Sequence, residues 1–392
     1  MATSSIQPAQ RLGLVKEYYF STKLKEIAEM KSRGLDVINL GIGSPDLPPS
    51  AETIEALNAS AHNPKNHAYQ SYIGLPDLRK AFADWYRMYF NVELNPVNEV
   101  LPLLGSKEGI MHIAMSYLEP GSVALVPNPG YPTYRAASLL TGAEVREYDL
   151  SEENNWLPDL KALEQTDLSK VKLMWVNYPH MPTGAKATPE LYRELVAFGQ
   201  KHTILIVNDN PYSFILNDDY QSILTIEGAK EVALELNSLS KSHNMAGWRI
   251  GALMGGAEPI SNVLRFKSNM DSGMFMPVQE AAIQALSNPP SWYAELNAIY
   301  KERQKKVFEI LDLLHCVYDP QQTGMFVWAR IPEGYPNCYA LSDEILYKAT
   351  VFLTPGGIFG SQGNRYIRLS LCADVSVFEN SILRIRKLKG IC

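Results

Sequence analysis

Lys172-Leu173-Met174-Trp175-Val176-Asn177-Tyr178, then residues 189–201, then Ile204-Leu205-Ile206-Val207-Asn208-Asp209, read as a strand, a helix and a strand in succession. Both apolar runs are short, unbroken and rich in branched or aromatic residues. They do not alternate with polar residues, so each strand is buried on both faces, as a parallel sheet covered by helices requires. Pro189 suits the first turn of the helix between them. The theme extends upstream. Residues 100–104 form a short strand, weakened by Pro102. Gly105-Ser106-Lys107 is a turn, 108–118 a helix, 123–126 a strand and 131–140 a helix. Downstream, the apolar runs 232–239 and 249–254 lie too close for a helical crossover, so one of them is expected to run antiparallel.

The pattern changes after residue 285. A long charged helix over 291–314 is followed by short strands and helices. Before the repeating section, 22–33 reads as a helix with Leu24, Ile27 and Met30 on one face and Gly34 as its stop. A short strand at 37–40 then enters the turn-rich run Gly41-Ile42-Gly43-Ser44-Pro45-Asp46. The expected fold is α/β: a large domain over 46–285, with a mostly parallel sheet sandwiched by helices, and a smaller α+β domain assembled from 1–45 and 286–392.

The chain has 392 residues, 46% apolar and 20% charged, which suits about two globular domains. Lys plus Arg is 36 against Asp plus Glu 42, a net charge of −6, which disfavours binding to a nucleic-acid backbone. No apolar run approaches the roughly 20 residues of a membrane helix, and the start MATSSIQPAQ does not read as a signal peptide. Cys316, Cys338, Cys372 and Cys392 form no CxxC pair and are too sparse for a disulfide framework. Reduced thiols in a cytoplasmic protein are expected.

Gly41-Ile42-Gly43 lacks the third glycine of a dinucleotide fingerprint. There is no GxxxxGK[ST] loop and no GxSxG elbow, and the histidines are not at metal-ligand spacing. The informative segment is Ser238-Leu239-Ser240-Lys241-Ser242-His243-Asn244-Met245-Ala246-Gly247-Trp248-Arg249-Ile250-Gly251. A lysine at the end of an apolar strand is costly unless paired or neutralised. Two hydroxyls precede it, and an arginine flanked by a glycine follows. That set suits an amine beside an anion, as a lysine imine to a phosphate-bearing aldehyde cofactor needs. Asp209 ends a parallel strand, where open α/β sheets bind ligands, and could pair with a protonated pyridine nitrogen. Read alone, Asp209 is a turn residue; Lys241 further on changes that reading. Ser106 and Lys107 open a helix whose free N–H groups suit a phosphate. Tyr131 offers a ring to stack on a heterocycle, or is a core aromatic. Arg368, in an apolar strand, needs a carboxylate partner, internal or from a substrate.

Together these residues resemble the fold-type I pyridoxal-phosphate enzymes, specifically the class I and II aminotransferases, over about residues 18–390. Within that class, Val37 to Pro48, Leu104-Gly105-Ser106-Lys107-Glu108-Gly109-Ile110 and Lys267-Ser268-Asn269-Met270-Asp271-Ser272-Gly273 are most similar to LL-diaminopimelate aminotransferases. The resemblance implies pyridoxal 5′-phosphate as cofactor, held covalently by Lys241, which also carries the proton. It implies Asp209 at the pyridinium N–H, Tyr212 at the phenolic oxygen and Tyr131 stacked on the ring. Ser106, Lys107, Ser238 and Arg249 would hold the phosphate, with Tyr69 reaching it from the neighbouring subunit of a homodimer. Arg368 would clamp the substrate carboxylate, with Gly43 nearby and Tyr18 as a further substrate contact. The implied reaction moves an amino group between an L-amino acid and a 2-oxo acid, with LL-diaminopimelate or aspartate-type substrates. No nucleic acid, membrane or metal is expected.

One departure from the family pattern stands out. The run is Asn177-Tyr178-Pro179-His180-Met181-Pro182-Thr183-Gly184, with Met181 where the family has an asparagine that bonds the phenolic oxygen. A thioether cannot donate that bond, leaving it to Tyr212 or to His180. The change keeps open a C–S/β-lyase or synthase on the same fold, which would release pyruvate and ammonia without an oxo-acid acceptor. A cofactor-sensing regulator is a third reading, but the stretch before residue 18 is expected to be too short for a helix-turn-helix.

Overall fold

A computed structural model describes residues 6–15 and 19–390. Its centre is a seven-stranded sheet in the spatial order Val100–Leu103, Gly251–Gly255, Ala233–Ser238, Leu205–Asp209, Val171–Val176, Val123–Asn128 and Glu144–Asp149. Gly251–Gly255 runs antiparallel to both neighbours, and the other pairings are parallel. The strand that turns back is therefore the second of the two closely spaced runs. Pro102 lies in an edge strand, where one side carries no ladder and a proline is tolerated. At the other edge, Glu144–Asp149 buries only Tyr148. Its polar sequence carries no apolar run, and the sequence reading passes over it.

Alternate residues of the inner strands serve different cores. Leu173, Trp175, Leu205 and Val207 pack on one face, and Met174, Val176 and Ile206 on the other. Each such side chain contributes about 1.5–3 kcal/mol by leaving water, so the unbroken apolar runs are what a sheet covered on both faces needs. The Pro189–His202 helix is fixed at its start, where the Thr188 hydroxyl accepts from Leu191 N at 3.1 Å. Thr203 closes it in the left-handed region, at φ 56.

A separate core surrounds a four-stranded antiparallel sheet, Thr354–Pro355, Tyr366–Ser370, Phe326–Arg330 and Val317–Tyr318. The Cys338–Ala349 and Val375–Lys389 helices contribute Leu341, Ile345, Phe378 and Ile382 to it. Ile38–Asn39 pairs in parallel with Val351–Phe352, which brings the N-terminal part onto this C-terminal unit. The long Pro290–Leu313 helix places Tyr293 in the core under the large sheet and Leu296, Tyr300 and Val307 in the second core. Cys316, Cys338 and Cys372 are unpaired thiols. Among the described residues, no helix is long and apolar enough to cross a membrane.

Candidate active site

The C-terminal ends of the parallel strands open into a cavity of about 580 Å³. Lys241, Asp209, Tyr212 and Tyr131 line it, with Ser106, Lys107, Ser238 and Arg249 on one side and Gly43 and Arg368 on another. The fold thus gathers residues that lie far apart in the chain. Tyr69 is not among the lining residues and is 91% exposed. Tyr18 lies outside the described residues.

Lys241 sits in the Leu239–Ser242 turn that follows the Ala233–Ser238 strand. The turn is set by Ser238, whose hydroxyl accepts from Ser240 N at 3.1 Å. Lys241 Nζ donates to the Gly43 carbonyl at 2.6 Å. Burial brings its pKa down to about 8, opposed by the Cys372 thiol and aided by the charges of Arg368 and Arg249. A side chain on Gly43 would collide with the Phe326 ring, so only glycine lets the carbonyl come this close.

Asp209 ends the adjacent strand. Its Oδ2 accepts from the Tyr134 hydroxyl at 2.8 Å, whereas Oδ1 is buried and has no partner. Burial raises its pKa to about 7, against the pull of the Tyr134 bond and with a further push from Glu235. Tyr134 is itself held by stacking on Trp175, with centroids 5.2 Å apart. The sequence reading missed Tyr134: a buried aromatic in a helix carries no local sign that its hydroxyl serves a carboxylate. Tyr131 meets Tyr134 edge-on at 5.5 Å, and Tyr212 meets Phe326 edge-on at 6.0 Å. Burial pushes the phenols of both Tyr131 and Tyr212 upward, so both remain hydroxyl donors.

The Ser106–Tyr117 helix begins at this cavity, and its first-turn N–H groups lack helical partners. Gly105 leads into it at φ 86, and a Cβ there would strike the Arg249 guanidinium. Arg249 itself has φ 56, a left-handed conformation uncommon for a non-glycine residue. Its Nη1 donates to Ala246 O at 2.8 Å. Ser238, Ser106 and Arg249 thus form a cradle of hydroxyl, helix start and cation. Such a set suits a phosphate.

Arg368, on the Tyr366–Ser370 strand, donates from Nη2 to Gly41 O at 2.8 Å. Its guanidinium lies 3.9 Å from the Phe326 ring centroid and 4.7 Å from that of Phe359. Nη1 faces Met181 Sδ at 3.3 Å. Met181 is buried in the cavity wall. His180 is turned elsewhere: its Nδ1 meets Thr183 Oγ1 at 2.8 Å, and burial lowers its pKa to about 3. Asn177 lines the cavity, but its amide donates to the Asp209 carbonyl and its Oδ1 accepts from Met181 N at 2.8 Å. Tyr212 and Tyr131 line the same cavity as Met181 and keep their hydroxyl protons.

The chain matches the family model for aminotransferase class I and II over residues 35–383. It is 43% identical over 384 residues to an LL-diaminopimelate aminotransferase of Dehalococcoides mccartyi, covering 97% of this chain and 99% of that relative. A protein of the same name from Moorella thermoacetica is 41% identical over 387 residues, covering 98% of this chain and 99% of the relative. Among solved structures, substrate-bound BacF from Bacillus subtilis superposes with a TM-score of 0.92 at 37% identity, covering 98% of each chain. A probable N-succinyldiaminopimelate aminotransferase from Thermus thermophilus gives 0.87 at 31%, covering 94% of this chain and 99% of that one. With its parallel sheet, its cavity-lining lysine and this match along nearly its whole length, the chain belongs to the class I and II aminotransferases.

Proposed function

We propose that this aminotransferase holds pyridoxal 5′-phosphate in the cavity and moves an amino group between an L-amino acid and a 2-oxo acid, with LL-diaminopimelate or aspartate-type amino acids as substrates. The observation that carries the cofactor is the buried, partnerless Asp209 Oδ1 at one wall of a cavity that Lys241 also lines. A buried carboxylate oxygen calls for a donor, and a protonated pyridine nitrogen is one. The Gly105–Ser106, Ser238 and Arg249 cradle fits the phosphate, and Tyr131 offers its ring as a stacking surface. The names of the relatives support the substrate classes.

When bound, the group supplies an aldehyde for amine capture and a ring that takes up the electron pair released at Cα. The protein's residues do the rest. Lys241, with a pKa brought to about 8, has a usable neutral fraction near neutrality. Its neutral amine would be the group that holds the cofactor's aldehyde, with water leaving. Once a donor amine had taken its place, the same amine would take up the proton from Cα and return it on the cofactor side. A positioned base of this kind is typically worth about 10²–10⁴-fold. Arg368, pressed between two rings, holds a carboxylate in a fixed plane. Tyr212 would donate a hydrogen bond to the ring's phenolic oxygen, and Asp209 would hold the ring nitrogen protonated.

The homodimer reading rests on Tyr69, which is well exposed and outside its own cavity, where a second copy can meet it. For the domain division at 45/46 and 285/286, the separate cores are the support. For a cytoplasmic location it is the three unpaired thiols. The deciding experiment loads purified protein with pyridoxal 5′-phosphate, reduces it with borohydride and maps the adduct. Modification of the peptide holding Lys241, lost in Lys241→Ala along with turnover, is expected. Modification elsewhere, or normal turnover by the variant, overturns the assignment.

A further inference from the structure

Glu235 is fully buried in the Ala233–Ser238 strand, beside Asn208 of the Leu205–Asp209 strand. The chemistry above gives it no part. Tyr86, of the Pro76–Phe90 helix, and Ser222 donate their hydroxyls to its Oε1 at 2.9 and 2.8 Å. Asn208 Nδ2 and Ile223 N donate to its Oε2 at 2.9 and 3.2 Å. These partners are all neutral donors, with no cation among them.

The network shows which form the carboxyl takes. Asn208 Oδ1 already accepts from Tyr178 N at 3.1 Å, so its Nδ2 faces Glu235 and can only donate. The Ile223 N–H can only donate as well. The Ser222 hydroxyl accepts from Leu224 N at 3.2 Å and the Tyr86 hydroxyl from Asn237 Nδ2 at 3.3 Å, which leaves their protons for Oε1. Neither oxygen of Glu235 has a place for a proton of its own, so the geometry is that of an anion. Burial pushes its pKa up, and the four bonds oppose the rise. A buried charge held only by hydrogen bonds is costly to leave partly satisfied, so each donor is fixed in place.

Two arms of this network end at the cavity. One runs through Asn208 to Tyr178 N, in the run that carries Asn177 and Met181 to the cavity wall. Met181 N donates back to Asn177 Oδ1 at 2.8 Å and closes that run. The other arm runs from Tyr86 through Asn237, whose Oδ1 accepts from Ser238 N at 2.8 Å. Ser238 opens the Lys241 turn and is one wall of the phosphate cradle.

We propose that Glu235 is a positioning residue for amino transfer: its buried anion holds Ser238, and with it the phosphate cradle, at a fixed place relative to the Asn177–Met181 wall. The proposal rests on the cofactor reading above. Glu235 touches neither substrate nor cofactor and acts through Ser238.

The test is a double-mutant cycle on the full chain. Absorbance titration measures the Kd of pyridoxal 5′-phosphate for wild type, Glu235→Gln, Ser238→Ala and the double variant. Each single substitution is expected to raise that Kd about tenfold, the scale of one lost hydrogen bond to a charged group. The double variant is expected to stay near tenfold, well short of the roughly hundredfold that independent losses give. Glu235→Gln keeps an oxygen for Asn208 and Ile223 and turns its amide to the two hydroxyls, which disturbs the Tyr86 arm and removes the charge. If it does not fold, Tyr86→Phe takes its place in the cycle with the same expectation, since it cuts the Ser238 arm and leaves three donors on the carboxylate. Losses that multiply, as general loosening of the fold produces, overturn the inference. An unchanged Kd in the Glu235 or Tyr86 variant overturns it too. Absence of cofactor binding by wild type overturns the functional reading and this inference with it.

Discussion

The Tyr134 hydroxyl donates to one oxygen of Asp209 at 2.8 Å and leaves the other oxygen buried without a partner. The carboxylate is therefore half satisfied, and its pKa of about 7 reflects burial winning over one hydrogen bond. A carboxyl with a raised folded pKa binds protons more tightly folded than unfolded. Its penalty is absent below the unfolded value near 4 and grows as pH rises to about 7. Cofactor-free Asp209→Asn is thus expected to be more stable than wild type at pH 8, by on the order of 2–4 kcal/mol, with the advantage shrinking towards pH 4. Thermal melts of both proteins across that range check it. An advantage independent of pH would mean that the Asp209 carboxylate is not the strained group.

Lys241 is expected to capture an aldehyde only as the neutral amine. With a pKa of about 8, the rate of cofactor attachment to the unloaded protein rises about tenfold per pH unit below that value and levels off above it. Stopped-flow absorbance between pH 6 and 10 measures the profile. A rate still climbing steadily at pH 10 would indicate a lysine in an ordinary environment.

Arg368 presents a planar fork between the Phe326 and Phe359 rings. Lysine cannot reproduce the fork or the stacking. Arg368→Lys is expected to raise the KM for the amino donor about 10–100-fold, roughly 1.4–2.8 kcal/mol, and to leave the spectrum of the loaded enzyme unchanged. Steady-state kinetics read beside that spectrum separate a lost substrate clamp from a lost cofactor.

Met181 puts a thioether in the cavity wall, 3.3 Å from Arg368 Nη1. Met181→Asn adds an N–H donor beside Tyr212, which favours an ionised oxygen on a bound ring. The pH at which the lysine-linked cofactor changes its absorbance is expected to fall by about one unit. Met181→Leu adds no donor and should titrate like wild type. A common shift in both variants would mark side-chain shape, not hydrogen bonding, as the cause.

Much of this arrangement is legible in the chain because its chemistry is local. Lys241, its two serines and Arg249 lie in one short run, and Asp209 ends a strand whose apolar composition announces it. Tyr134 is not legible, since it sits in a helix and its partner ends a strand 75 residues further along the chain. Glu144–Asp149 escapes because an exposed edge strand needs no apolar run. Nor does sequence show that Asn177 spends its amide on backbone, or that His180 is turned to Thr183. Both depend on how the loop folds back, and residue type alone does not determine that.

The antiparallel return of Gly251–Gly255 alongside Ala233–Ser238 has a bearing on assembly. Ser238 pairs with Gly251 in the ladder, so the amine and the guanidinium ride on one hairpin-like excursion. Closing so short an excursion costs little chain entropy, far less than bringing in Gly43 or Arg368 from the chain ends. Lys241 and Arg249 therefore reach their spacing as a single prefabricated unit, and the remote walls have only to be laid against it.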